Sequence, residues 1–320
     1  MQIKTVIGFD IDEAKRFLES GETVGIPTET VYGLAANALN EDAVLRIFAV
    51  KNRPHFDPLI VHTHSTEEIK KYTEEIPDKA AQLIQQFMPG PLTLLLKKKK
   101  IVSDLITSGL DRVAIRIPNH PMLLQLLAKL DFPLAAPSAN PFGYISPTTA
   151  QHVFDQLQGK IPYILDGGPT LVGVESTIIG FEKDEATVYR LGGLAVEDIE
   201  KVIGQVNIQV NESSNPKSPG MLKSHYAPKK NLVIGQLDDL MMQNTGKTIG
   251  VIAFDKYIDG IDKKNQILLS PTGNLNEAAK NLFAAMRKLD DSEVEKILAV
   301  TFPDEGLGRA INDRLKRASA

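Results

Sequence analysis

Chemistry-bearing side chains are densest in the run Pro27-Thr28-Glu29-Thr30-Val31-Tyr32-Gly33-Leu34, directly after the apolar run Thr23-Val24-Gly25-Ile26. Open α/β sheets gather ligands at the carboxyl ends of their strands, so a polar loop at that place suits a ligand. A tight turn capped by its own hydroxyls is the plainer alternative. A second run is Lys51-Asn52-Arg53-Pro54, followed by Asp57-Pro58-Leu59-Ile60-Val61-His62. Two cations two residues apart at a strand mouth suit a triphosphate, because arginine grips phosphate in a bidentate way and lysine acts as a point charge. Taken alone, a Lys-x-Arg pair is more often a solvated basic turn. His62 and His64 alternate on one strand face. A His-x-His pair can bind metal; without a third ligand, one substrate-contacting histidine is expected instead, and no metal site is assigned.

Arg116 sits inside the apolar strand Val113-Ala114-Ile115-Arg116-Ile117. An arginine there is costly unless paired, so it either bridges a buried carboxylate or awaits an anionic ligand. The ligand is preferred, since Pro118 ends the strand beside it. Ala135-Ala136-Pro137-Ser138-Ala139-Asn140 ends another strand in small residues. These let a ligand approach the backbone, with a hydroxyl and an amide to bond it. Ser146-Pro147-Thr148 reads as a helix cap, which also leaves N–H groups for phosphate. Gly173-Val174-Glu175-Ser176-Thr177-Ile178 places a hydroxyl pair at a strand start, and Arg190 closes the last strand of that region.

Other chemistries lack support. Cysteine is absent, which removes disulfides, thiolate zinc sites and thiol nucleophiles. No Gly-x-Ser-x-Gly elbow occurs. Thr245-Gly246-Lys247-Thr248 looks like the end of a P-loop, but the required earlier glycine is Met241, and the run precedes a strand. Lys97 to Lys100 is a four-lysine run, ordinarily a solvated turn, that could touch RNA.

The elements that must position these residues follow from periodicity. Helices are expected at 11–18 (capped by Asp10 or Asp12), 41–49, 80–88, 121–130, 150–157 and 196–202. Strands are expected at 23–27, 58–62, 92–96, 113–117, 134–136, 163–165, 176–181 and 186–190. Helices and strands interleave without a strict βαβ rhythm, which implies one α/β domain with a mixed, twisted sheet. Residues 211–228 have linker composition, yet contain Met221, His225 and Tyr226. From Asn231 the pattern alternates cleanly: strands at 232–234, 248–254, 266–269 and 297–302, and helices at 237–242, 276–289 and 308–316. This predicts a smaller, Rossmann-like three-layer α/β domain with a mostly parallel sheet. The division expected is a catalytic domain at 1–205, a linker at 206–230 that covers the site, and a C-terminal domain at 231–320.

The chain has 320 residues, 42% hydrophobic and 24% charged, which is soluble globular composition and enough for two cores. A net charge of −4 provides no global field for nucleic acid. Met1 to Asp10 does not read as a secretory signal, and no run approaches the roughly 20 apolar residues of a membrane span. A cytoplasmic protein is expected.

The six motifs beginning at Pro27, Lys51, Pro58, Pro89 (Pro89-Gly90-Pro91-Leu92-Thr93), Ala136 and Gly173 together, in this order, resemble the YrdC-like family. Ser218-Pro219-Gly220-Met221 and His225-Tyr226-Ala227-Pro228, followed by a small α/β domain, are similar to its long, two-domain threonylcarbamoyl-AMP synthase form. The resemblance covers essentially the whole chain. It implies synthesis of L-threonylcarbamoyl-AMP and pyrophosphate from L-threonine, bicarbonate and ATP with Mg²⁺, for modification of transfer RNA. By the same resemblance Thr30, His62, Arg116, Ala136 and Ser176 contact threonine. Lys51, Arg53, Asp57, Arg112, Ser138, Asn140, Ser146, Arg190 and Met221 line the ATP site. Lys51, Arg53 and Arg116 are the residues expected to carry catalysis. Contact with transfer RNA or with the transferase machinery is a further expected partnership. A binding module that holds RNA on a concave surface, without synthase activity, is the rival reading. The linker departs from the usual family pattern at Leu222-Lys223, where a basic and an aromatic residue are more common.

Overall fold

The computed structural model describes residues 3–183, 185–210, 224–235 and 248–320. Met221, most of the 211–228 linker and the helix expected at 237–242 lie outside the described residues.

The larger region contains β1 (Val6–Gly8), α1 (Ile11–Glu19), β2 (Val24–Ile26), β3 (Gly33–Asn37), α2 (Glu41–Lys51), β4 (Ile60–His62), α3 (Thr66–Tyr72) and α4 (Asp78–Phe87). It continues with β5 (Leu92–Lys97), α5 (Asp104–Thr107), β6 (Arg112–Arg116), α6 (Pro121–Lys129), β7 (Leu134–Ala135), α7 (Ala150–Leu157) and β8 (Tyr163–Leu165). Last come β9 (Thr177–Glu182), β10 (Glu185–Arg190), α8 (Val196–Ile203) and β11 (Asn207–Ile208). The strands form one mixed eleven-stranded sheet in the order β1-β8-β2-β3-β7-β4-β6-β5-β9-β10-β11. Local chemistry sets the helix ends. Asp10 caps α1 by accepting from Asp12 N and Glu13 N, and Asn40 caps α2 through Ala43 N. Asn52 ends α2 in the left-handed conformation (φ 53°), which asparagine tolerates, and this turns the chain between Lys51 and Arg53.

Two unexpected elements matter for the site. β3 is Gly-Leu-Ala-Ala-Asn, a run of weak strand formers that becomes a strand because β2 and β7 pair with it on both sides. The loop from Pro27 to Tyr32 is thereby the connection between antiparallel strands. α3 has only Ile69 and Tyr72 as buried anchors, so its periodicity is faint, but Ser65 caps it through Glu68 N.

The smaller sheet runs β12 (Asn231–Gly235), β15 (Lys296–Val300), β13 (Ile249–Ala253), β14 (Gln266–Leu268), all parallel among the described pairings. Both faces are apolar: Ile252, Ile297 and Ala299 pack with helices Leu275–Asp290 and Gly308–Ala318, while Val251, Ala253 and Leu298 face the other way.

The core of the smaller sheet does not stop at its own edge. Val31, Ile145 and Val174 of the larger region share one apolar cluster with Tyr226, Ala279 and Phe283. Gly173 (φ +79°) lies against helix Leu275–Asp290, where a Cβ would stand 2.4 Å from Lys280 Cα. Only glycine permits both that φ and that approach. No helix among the described residues is long and apolar enough to cross a membrane.

Candidate active site

β4 and β6 run parallel, and His62 lies opposite Arg116 in their register. Facing residues on neighbouring strands send their side chains to the same side. Arg116 Nη1 donates to Thr30 Oγ1 at 3.0 Å, and Nη2 donates to Glu29 Oε1 at 2.6 Å. Of the two options left open by the sequence, the structure shows the bridge to a buried carboxylate, Glu29, and Arg116 also lines a cavity. The pair is unsaturated, since Glu29 Oε2 and Arg116 Nε have no hydrogen-bond partner among the described residues. Burial, and then the neighbouring Arg116 charge, push His62 down to about 3, so it is a neutral imidazole. Thr28 Oγ1 fixes the loop, donating to Val31 O at 2.6 Å and accepting from Thr30 N at 3.0 Å. Ala136 also lines the cavity. Ser176 lies at its rim, buried, with its Oγ accepting from Arg190 Nη2 at 3.0 Å and 2.7 Å from Thr93 Oγ1.

The cations are not a solvated turn. Lys51 is 1% exposed and Arg53 7%. Lys51 Nζ donates to Ser138 O at 2.5 Å and to Asn140 O. Arg53 Nη2 donates to Pro58 O at 2.8 Å and lies 2.9 Å from Asp57 Oδ2. That contact is an ion pair without hydrogen-bond alignment, so both carboxylate oxygens of the fully buried Asp57 lack a hydrogen bond. Burial, with Arg53 second, holds the Lys51 ammonium well below its ordinary value. Burial raises Asp57, against the opposing pull of Arg53 and Lys51. Burial likewise draws Arg190 down to about 10. Burial disfavours the charged forms of these cations, and an anion placed beside them would offset that cost. Asn140 Nδ2 donates to Pro141 O and Tyr144 O, which shapes the turn after Ser138. Ser146 Oγ donates to Glu175 Oε1 at 2.5 Å.

One cavity gathers Thr30, Arg53, His62, Arg116, Ala136, Ser138 and Arg190, with Lys51, Asp57, Asn140, Ser146 and Ser176 bonded into its walls. Arg112 stands apart. It begins β6 at the far end from Arg116, donates to Phe181 O, and lines a different cavity with Lys97 and Lys183. Two lysines of the run have local partners: Lys98 Nζ bonds Val102 O and Asp104, and Lys99 Nζ bonds Lys70 O.

The reading of separate motifs missed how the walls are joined. Glu175, His225 and Tyr226 line the cavity as well. Tyr226 stacks on Phe283, with ring centroids 5.5 Å apart, and Arg314 lies over its ring at 5.0 Å. The signal for Glu175 was its place between Val174 and the hydroxyl pair Ser176-Thr177 at a strand start. No sequence signal pointed to Arg314. The enclosed space is about 50 Å³. Drug-sized ligands need roughly 300 Å³ or more, so the cavity that His225 and Tyr226 help to bound is smaller than such ligands require.

A mixed sheet whose strand ends enclose a cation-lined cavity, joined to a second parallel-sheet domain, defines the two-domain YrdC-like class of α/β proteins. The family described as "Telomere recombination" matches residues 16–192, and "Threonylcarbamoyl-AMP synthase, C-terminal domain" matches residues 194–320. Threonylcarbamoyl-AMP synthase from Pyrococcus abyssi is 42% identical, over 96% of this chain and 93% of its own length. The Bacillus subtilis protein of the same name is 40% identical, over 97% and 92%. The crystal structure of P. abyssi Sua5 complexed with L-threonine superposes with a TM-score of 0.90 at 41% identity, covering 100% of this chain and 98% of the other. The chain belongs to the threonylcarbamoyl-AMP synthase family.

Proposed function

We propose that the protein makes L-threonylcarbamoyl-AMP from L-threonine, bicarbonate and ATP, releasing pyrophosphate. The observation that carries this reading is one buried cavity lined by three guanidinium groups, Arg53, Arg116 and Arg190, with Thr30 and His62 beside Arg116 and Lys51 bonded to Ser138 O in its wall. That arrangement suits two anions held close together. The threonine carboxylate goes to Arg116, with Thr30, His62, Ala136 and Ser176 around the amino acid. The phosphates go to Lys51, Arg53 and Arg190, with Ser138, Asn140 and Ser146 along the nucleotide.

The chemistry then needs no covalent enzyme intermediate. The threonine amine and bicarbonate condense to a carbamate and water. A carbamate oxygen attacks the α-phosphorus, and the bond to pyrophosphate breaks. The enzyme's contribution is to align the two anions and offset the charge that develops on the phosphate oxygens. Asp57, buried beside Arg53 with no hydrogen bond to either oxygen, has the chemistry of an acceptor for the nucleotide and equally of a carboxylate ligand for Mg²⁺. No cluster of three or more His, Asp or Glu side chains exists among the described residues, so the remaining ligands would be phosphate and water. Bound there, the ion would supply neutralisation of phosphate charge. His225 and Tyr226 must withdraw to admit ATP and can then close again, which would protect the water-labile carbamate. Met221 is assigned to the nucleotide by resemblance alone. The product would pass to the transferase machinery that modifies transfer RNA.

Pyrophosphate release from ATP, measured with and without L-threonine and bicarbonate, tests the reading. Release that requires both is the expected result. Folded protein that binds RNA but releases no pyrophosphate would instead favour a binding module.

A further inference from the structure

The C-terminal domain reaches the active site through buried guanidinium groups: Arg287 donates to Ser146 O at 3.4 Å, and Arg314 donates to Glu175. Arg314 belongs to helix Gly308–Ala318 and is 0% exposed. Its Nε donates to Glu175 Oε2 at 2.8 Å, and its Nη2 donates to Leu191 O at 2.8 Å. Its Nη1 is satisfied by the adjacent Asp313 at 2.6 Å. The two outward bonds fasten two walls of the cavity: the Glu175–Ser176 segment, and the chain directly after Arg190. The same helix holds a third wall, since Arg317 O accepts from His225 N at 3.2 Å.

Glu175 is the carboxylate at stake. Its Oε1 accepts from Ser146 and its Oε2 from Arg314, so each oxygen has a donor other than Arg190. Arg190 instead donates from Nε and Nη2 to Ser176 O and Oγ, both at 3.0 Å. Yet Glu175 and Arg190 are near enough for each to feel the other's charge. A buried carboxylate deprived of one cation turns to the next, because an unpaired charge there is costly.

We propose that Arg314 is a positioning residue for the nucleotide half of the site: by holding Glu175, it keeps that carboxylate from taking the Arg190 guanidinium required by the phosphates. The second domain is then part of the synthase centre, acting through Glu175 without touching a substrate. The proposal rests on the nucleotide reading given above.

The test compares KM for ATP with KM for threonine in Arg314→Met, Glu175→Gln and the double variant, by pyrophosphate release on the full chain. ATP binding is followed separately by calorimetry. Arg314→Met should raise KM for ATP roughly tenfold, within the usual span of coupling between sites, and leave KM for threonine within about twofold. Adding Glu175→Gln removes the intruding charge and should restore most of the ATP affinity. If both KM values move together, or if the double variant binds ATP no better than Arg314→Met, the proposal is overturned. Should Arg314→Met not fold, Arg314→Lys makes the same comparison; it keeps a cation but cannot hold Glu175 and Leu191 at once. A rise in KM for ATP alone supports the proposal, and unchanged constants overturn it. Wild-type protein without threonine-dependent release would defeat the functional reading itself, an outcome distinct from both.

Discussion

Glu29 and Arg116 form an ion pair inside the protein, with Oε1 and Nη2 2.6 Å apart and the two side chains 5% and 4% exposed. A pair so buried is costly to break from one side, because the survivor keeps its charge without a partner. Arg116→Met should therefore destabilise the fold by roughly 3–5 kcal/mol, while Arg116→Met combined with Glu29→Leu should recover much of that loss. Urea unfolding of both variants measures the difference. Neither should release pyrophosphate in response to threonine.

Lys51 illustrates the opposite balance. Its ammonium is buried, and its folded value lies well below the ordinary one, so its charge opposes folding at neutral pH. Lys51→Met removes that cost but leaves the Ser138 and Asn140 carbonyls without their donor, so Tm should change little, and turnover should fall by about 100-fold, as expected for removal of one preorganised charge. A large fall in Tm with normal turnover would falsify the assignment of this cation to the phosphates.

The two buried histidines give a signed pH dependence. His62 and His225 are each pushed down to about 3, with burial the main cause. An unfolded histidine titrates near 6.5, so below that pH the unfolded chain takes up protons that the folded one refuses. Stability should be insensitive to these groups above 6.5 and should fall between 6.5 and 3, by up to about 1.4 kcal/mol per pH unit for each. Urea midpoints from pH 8 to 5 report this, and His62→Gln should flatten the slope. In NMR spectra the ring protons of both histidines should not shift across the same range; a midpoint near 6 for either contradicts the burial argument.

Gly173→Ala probes the contact between the domains. The new methyl would meet Lys280 backbone 2.4 Å away, at a φ of +79° that alanine rarely adopts. Backbone cannot give way as a flexible side chain can, so a loss of roughly 1–3 kcal/mol is expected. Because the same segment carries Glu175 and Ser176, calorimetry should also show weaker ATP binding. Thermal unfolding and ATP titration on one preparation check both effects.

Much of the architecture is legible along the chain because it rests on local periodicity. α7 and β8 fall where the pattern places them, and the apolar stripe 276–289 is the helix Leu275–Asp290. β3 was hidden, since its alanines have little preference for a strand and acquire one only by pairing with β2 and β7. Arg112 shows where a residue carried over by resemblance does not follow the cluster: four residues from Arg116 on a strand is roughly 13 Å of separation.

Motif chemistry and hydrophobic period are local properties, so the residue types that could hold two anions, the loops that carry them and the two α/β regions can all be read along the chain. That Lys51 and Arg53 turn inward, that Arg116 meets Glu29 and that Arg314 from the last helix grips Glu175 emerge only when the chain is folded. Those outcomes depend on strand register and on the packing of one domain against another. They bring together residues as distant as 175 and 314, and no spacing within a segment encodes such a pairing.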